Sequence, residues 1–185
     1  MAFVISGGNV ISYAEANDLR DKDQRLFEAN EFTLANLPDA PPTLNDYIED
    51  LNIKATARIN QKIRASSQWR DYLGYVGADY DINNIPAFNA NLILARKSDF
   101  TDMCAYYTLK EYLIPRVADF GNPESAEVQK IQYYESKFTD LFTELLGMMD
   151  WYDYDASGAL NDSDKLIRVS LNRRTRGRKN VVRVR

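Results

Sequence analysis

Leu44, Ile48, Leu51, Ala55, Ile59 and Ile63 follow one another at steps of four, three, four, four and four, which lays one apolar stripe along a single side of an α-helix. A stripe of that length has to be covered by other elements, so it constrains the fold more than any other feature of the chain. Thr43 precedes it as an N-cap with Asp46 three residues on, and the stretch before it, "ANLPDAPPTLNDY", holds three prolines within five residues. The spacing predicts a helix from Thr43 to about Trp69, with Lys54, Asn60, Gln61, Lys62 and Arg64 on its solvated side.

Three more helices are expected around it. "SYAEANDLRDKDQRLFEAN" reads as a strongly charged helix with Ser12 and Glu15 at the spacing of a capping box and Ala16, Leu19, Leu26 and Phe27 on its apolar side. Gly74, Gly77 and Pro86 mark a loop, after which a helix beginning at Leu92 or Ser98 runs to Val117 with Phe100, Met103, Cys104, Tyr107 and Leu113 inward; Pro115 should end or kink it. "FGNPESAE" then restarts the chain, with Asn122 as N-cap, Pro123 in the first helical position and Glu124 and Glu127 near the positive end of the dipole. Val128, Ile131, Tyr134 or Gln132, Phe138, Leu141, Phe142, Leu145 and Leu146 form its apolar face up to Gly147.

The expected fold is therefore mainly α: a small helical bundle of about four helices with an extended, partly β C-terminal arm. At 185 residues this is one domain with appendages, a body over 1–150, an acidic loop over 151–164 and a basic arm over 165–185. Within the arm, Leu166 or Ile167, Val169 and Leu171 alternate with polar residues, and "NVVRVR" keeps a similar rhythm, so the arm reads as extended chain or a hairpin around "RTRGRK". It has too little apolar surface to fold alone and needs a partner's sheet or a neighbouring subunit to pair with.

Composition narrows the chemistry. The chain has no histidine, which removes the commonest general base, the usual partner of a nucleophilic Ser or Cys, and the commonest zinc ligand. Its eight glycines form no GxxxxGK[ST], GxGxxG or GxSxG. The one cysteine, Cys104, sits in the apolar-rich "FTDMCAYYTL" and reads as a buried thiol. These features argue against an enzyme. No apolar run approaches the roughly 18 residues of a membrane span, and "MAFVISGGNV" has neither a basic start nor an apolar stretch long enough for a secretory signal, so a cytoplasm-like compartment and no membrane partner are expected.

"DYDASGALNDSD" matches the calcium-loop pattern: Asp153, Asp155 and Ser157 at positions 1, 3 and 5, Gly158 at the turn position 6, Leu160 at 8, Asn161 at 9 and Asp164 at 12. Hard oxygen ligands at alternate positions can wrap a cation because the glycine lets the chain reverse between them. Position 12 is Asp rather than the longer Glu, and the residues after it read as a strand rather than an exit helix; the competing reading is an Asp/Ser/Gly turn closed on its own backbone. Ca2+ is the one cofactor the sequence suggests.

Charge is divided along the chain. From Lys165 to Arg185 there are nine Lys or Arg and no Asp or Glu, and of the 23 basic and 27 acidic residues in all, residues 1–164 keep 14 and 27, so the body carries about -13 and the arm about +9. In this order of parts, "ISYAEANDLRDKDQRLFEANE", "IKATARINQKIRASSQWRDYL", "WYDYDASGALNDSDK" and "RVSLNRRTRGRKNVVRVR" together resemble the head-tail connector (adaptor) proteins of tailed bacteriophages. The resemblance implies a small helical protein of the virion neck that assembles, typically as a ring of twelve subunits, beneath the portal protein, and extends a C-terminal arm to it. DNA would pass through the ring without specific binding, and a further neck or tail protein would dock on the far side. By the same resemblance Arg173, Arg174, Arg176, Arg178, Lys179, Arg183 and Arg185 are the portal-facing residues.

An acidic wall suits such a channel, since each Lys or Arg that neutralises a phosphate adds salt-dependent affinity. A cationic, pairing-prone arm suits an acidic groove on another virion protein. The rival reading is a nucleic-acid-binding protein whose arm holds RNA or DNA through "RRTRGRK"; against it, the arm has no aromatic residue for base stacking and the body repels the same polyanion. A calcium-regulated interaction module is the third.

Overall fold

The computed structural model describes residues 3–28, 43–75, 88–122, 124–161 and 164. Among these the chain is mainly helical with one small two-stranded sheet. It divides into two compact units, Met1–Ile59 with Arg96–Glu144 and Asn60–Ala95 with Leu145–Arg185, and two of the three divisions fall inside long helices.

The first unit opens on a hairpin absent from the sequence expectation, β1 (Val4–Ser6) against β2 (Asn9–Ser12), antiparallel with Ile5 opposite Val10. Gly7 and Gly8 turn the chain at φ 57° and 81°, the left-handed region that glycine enters without a Cβ clash and that matches the twist of the two strands. Because Ser12 ends β2, with its hydroxyl donating to the Ala14 carbonyl (2.8 Å), it cannot cap the next helix. The cap is Glu15, and α1 (Ala16–Lys22) begins there with the Asp18 carboxylate accepting the Glu15 N–H at 2.8 Å. The expected first helix is also broken at Asp23, whose carboxylate accepts the Leu26 N–H (3.3 Å) and so opens α2 (Gln24–Glu28) while pairing with Lys130 at 2.8 Å.

Thr43 and Asp46 cap α3 (Leu44–Ala65) as expected, the Asp46 N–H donating to Thr43 Oγ1 at 3.2 Å. Ile48, Leu51, Ala55, Ile59 and Ile63 are buried and Leu44 half-buried, so the stripe does face inward. Instead of reaching Trp69 in one run, the helix stops at Ser66, whose hydroxyl accepts the Trp69 N–H (3.2 Å) and starts α4 (Ser67–Tyr75).

Polar side chains of two helices hold the extended link between β2 and α1. The Tyr13 N–H donates to Thr56 Oγ1 (3.1 Å), Asn52 Nδ2 to the Ala14 carbonyl (3.2 Å) and the Thr101 hydroxyl to the Tyr13 carbonyl (2.8 Å), while the Thr108 hydroxyl satisfies Asn52 Oδ1 (2.9 Å). A buried link without ladder partners needs such donors and acceptors, which is why these four polar residues lie inside. Cys104 is packed among them, with its thiol 3.5 Å from Thr56 Oγ1 and pushed up to about 11 by burial. It is the inert interior thiol the sequence suggested.

Thr101, Cys104 and Thr108 lie on α5 (Lys97–Thr108), which continues as a π-helical turn (Leu109–Leu113) into α6 (Ile114–Val117). Pro115 has no N–H to donate and its ring crowds the carbonyl four residues back. A widened turn relieves that crowding, and the helix ends two residues after the proline. Phe100, Met103, Cys104, Tyr107 and Leu113 are all buried. The wide turn also seats Lys110 inside, paired with Glu135 and with its ammonium 5.0 Å from the ring centroids of both Tyr107 and Phe138.

The last long helix, α7 (Ala126–Met148), starts later than expected. Asn122 is not its cap: its side chain accepts the Glu124 N–H in a local turn, and Ser125 caps instead by accepting the Val128 N–H at 3.3 Å. Tyr134, Phe138, Leu145 and Leu146 are buried, with Val128, Ile131, Leu141 and Phe142 half-buried.

The second unit is organised by aromatic side chains. Trp69 and Tyr72 of α4 meet Phe88 and the segment Trp151–Tyr154, with ring centroids 5.4 Å apart for Trp69–Phe88, 5.1 Å for Phe88–Tyr152 and 4.7 Å for Tyr72–Tyr154. Backbone bonds tie the same segment to residues 92–95: the Leu94 N–H donates to the Trp151 carbonyl (2.9 Å) and the Asp153 N–H to the Leu92 carbonyl (2.9 Å).

Candidate functional site

The acidic loop leaves directly from this aromatic core. Asp153, its first residue, is fully buried, and both its carboxylate oxygens accept loop N–H groups, Oδ1 from Ser157 (3.2 Å) and Oδ2 from Gly158 (2.8 Å). Ala156 (φ 54°) and Gly158 (φ 83°) turn the chain back on itself so that these two N–H groups point inward. Asp155 is exposed; its Oδ1 accepts the Ser157 N–H (3.1 Å) and its Oδ2 the Asn161 side-chain amide (3.0 Å), which also donates to Ser157 Oγ (2.9 Å). Asp164 closes the loop from its far end, accepting the Tyr154 N–H on Oδ1 (2.8 Å) and the Asn161 N–H on Oδ2 (2.9 Å).

The spacing of the sequence pattern thus becomes a spatial cluster. Asp153, Asp155 and Asp164 each bring one carboxylate oxygen within 4.8 Å of the others, and Ser157 is joined to them through Asn161. Asp164, the last residue of the loop, has helical backbone; the strand expected after it lies outside the described residues. Its carboxylate is thereby turned back toward Tyr154 and Asn161, and the shorter side chain of Asp suffices to reach them.

Electrostatically one member of the cluster, Asp155, is held negative. The hydrogen bonds from Asn161 and Ser157 keep the Asp155 carboxyl down at about 2, below its ordinary value of 3.8. A carboxyl lowered in this way favours the folded chain above its unfolded value, and that contribution is lost as pH falls toward 2. Nearby, burial and then the charges of Asp153 and Asp164 raise the Tyr72 phenol, whose O–H donates to the Tyr154 carbonyl at 3.2 Å.

The donor set fits a hard divalent cation. Calcium takes oxygen ligands at about 2.3–2.6 Å, so ligands on opposite sides of the ion lie up to about 5 Å apart, the scale of this cluster. Each carboxylate oxygen has two lone pairs, so accepting an N–H leaves one for a metal. Asp153, Asp155 and Asp164 would hold the ion, with the Ser157 hydroxyl beside them. The same N–H bonds close the loop as an Asp/Ser/Gly turn without an ion, so both chemistries use one geometry.

The arm residues singled out by the sequence, Arg173, Arg174, Arg176, Arg178, Lys179, Arg183 and Arg185, lie outside the described residues, as does the whole of 165–185. What sequence reasoning missed is the support beneath the loop, namely Tyr72 and the Leu92 carbonyl, which come from segments with no periodic relation to it. No helix among the described residues is long and apolar enough to cross a membrane. No protein-family model matches the chain, and comparison with curated proteins and with solved structures returns no match.

Proposed function

We propose that the chain is a structural protein of a tailed-phage virion, a head-tail connector that forms a ring, of twelve subunits by its resemblance, beneath the portal at the neck. Its C-terminal arm docks on the portal, its channel passes DNA, and its far side is the platform for the next neck or tail protein. The division of charge carries this reading: about -13 over residues 1–164 and about +9 over 165–185 make an acidic body that phosphates do not cling to and a cationic segment suited to an acidic partner. The same reading takes the helical stretches as a bundle of about four with an extended arm. The test is to mix the purified protein with its capsid portal and image the particles. A ring of density on the portal vertex is the expected result; portal vertices left bare at saturating protein overturn the reading.

The clustered oxygens of Asp153, Asp155 and Asp164, one of them on a fully buried side chain, favour a second reading of the loop as a calcium site that stiffens the connector. A ligand that binds only the folded chain stabilises it by mass action, about 2.7 kcal/mol at a hundredfold excess over Kd. Millimolar calcium should therefore raise the melting temperature of the natural chain by several degrees, and Asp153→Ala with Asp155→Ala should abolish the rise. A natural chain whose melting temperature ignores calcium would leave the self-closed turn as the whole account.

A further inference from the structure

Of the large apolar side chains among the described residues, Phe120 is the most exposed, at 65%. It stands at the tip of the loop between α6 and α7, and that loop is closed on itself around it. The Asp119 carboxylate accepts the Gly121 N–H (2.9 Å), the Asn122 N–H donates to the Asp119 carbonyl (3.2 Å), and Asn122 Oδ1 accepts the Glu124 N–H (3.1 Å). A Cβ on Gly121 would stand 3.1 Å from Asp119 Oδ1, so the glycine is what lets the aspartate fold across the turn. Turns of this kind hold a side chain in place before a partner arrives, which lowers the ordering cost of binding. Phe120, with the exposed Asp119 beside it and the exposed Glu124 four residues on, is therefore an aromatic anchor with an acidic flank.

The same compact unit carries a cleft of about 730 Å³, lined among the described residues by Arg20, Asp21, Gln24, Phe27 and Leu44. Phe27 and Leu44 are half-buried and give it an apolar lining. The Arg20 guanidinium lies 6.0 Å from the centroid of the Phe27 ring and gives one N–H to Asn45 Oδ1 (2.6 Å), which fixes the fork and leaves further donors for a carboxylate. An apolar lining with an arginine fork beside it suits a ring and a carboxylate presented side by side. We propose that Asp119 and Phe120 of one copy seat in the Arg20–Phe27–Leu44 cleft of a second copy, the ring against Phe27 and Leu44 and the carboxylate on Arg20. Charge complementarity selects this occupant, because Asp119 and Glu124 turn phosphates away from the anchor while Arg20 takes a carboxylate. The exposure of Phe120 shows that it does not fill the cleft of its own chain. The inference rests on the connector reading only in that a ring places copies side by side.

Sedimentation equilibrium of the full chain without portal, from micromolar to millimolar concentration, is expected to show reversible association. Phe120→Ser should weaken it about tenfold or more, the loss expected on truncating an aromatic anchor, with melting temperature and helicity unchanged because the ring is exposed. Arg20→Gln and Asp119→Asn, the latter keeping an acceptor for the Gly121 N–H, should each weaken association, and the two together should cost no more than the larger single loss, since both remove one contact. A natural chain that stays monomeric throughout, a Phe120→Ser chain that associates like the natural one, or losses at Arg20 and Asp119 that simply add overturns the proposal. So does an Arg20→Gln chain that melts earlier but associates normally, which would mean that the cleft serves its own chain. Imaging on portals separates this contact from the connector reading. Rings formed by the Phe120→Ser chain would remove the contact and leave the connector standing, whereas bare portals beside a natural chain that self-associates through Phe120 would do the reverse.

Discussion

A chain ended after Leu171 is expected to keep its helical body and its melting temperature, and to be left out of assembled particles altogether. The removed segment carries Arg173, Arg174, Arg176, Arg178, Lys179, Arg183 and Arg185, and its few valines supply too little apolar surface to add to a core. An arm that adds a strand to a partner's sheet gains main-chain hydrogen bonds, whereas its arginines contribute specificity and association rate more than affinity. Changing the six arginines from Arg173 to Arg185 to glutamine should therefore weaken docking less than truncation does, since the backbone can still pair. Pull-down on purified portals separates the two variants. If the truncated chain still assembles on portals, or if the full-length arm holds DNA as tightly as portal at physiological salt, the docking arm is wrong and the nucleic-acid reading moves ahead.

The largest loss of stability is expected from Trp151→Ala. Trp151 is fully buried, its ring lies 6.0 Å from Phe88 and 5.7 Å from Tyr152, and its Nε1–H donates to the Leu145 carbonyl at 2.7 Å. Removing a buried indole costs about 3–5 kcal/mol, from lost transfer energy and the cavity left behind. At about 2–4 °C per kcal/mol for a chain of this size, the melting temperature should fall by about 6–20 °C. Trp151→Phe keeps most of the packing and loses the Nε1–H bond, so it should cost much less. A Trp151→Ala chain within about 1 kcal/mol of the natural one by chemical denaturation would mean that the aromatic cluster is not the core of the second unit.

The stripe on α3 and the inward residues of α5 and the π-helical turn after it were legible because a helix repeats its buried face locally, so Ile48 to Ile63 and Phe100 to Leu113 could be placed from spacing alone. Helix ends were harder. Ser12, Glu15, Asn122 and Ser125 can all cap, and the choice among them was made by neighbours: the hairpin claimed Ser12 and a local turn claimed Asn122. The hairpin itself is short, and its Gly-Gly link was the one signal it carried. In the site, the acidic loop was readable because its clustered carboxylates lie within twelve consecutive residues. Its foundation was not, since Trp69, Tyr72, Phe88 and Trp151 belong to three separate stretches and meet only through tertiary packing.

The closed pocket around Cys104 has a practical side. The chain has no other cysteine, and this one is fully buried with its thiol held at about 11, so at neutral pH little thiolate forms and a maleimide or a photoactivatable thiol reagent has no path to it. A cysteine introduced at Ser170 or Thr175 would then be the sole group such a reagent modifies in the folded chain. Crosslinks from those two positions would show whether the arm rests on the proposed portal partner and at which residues, with the natural thiol left in place.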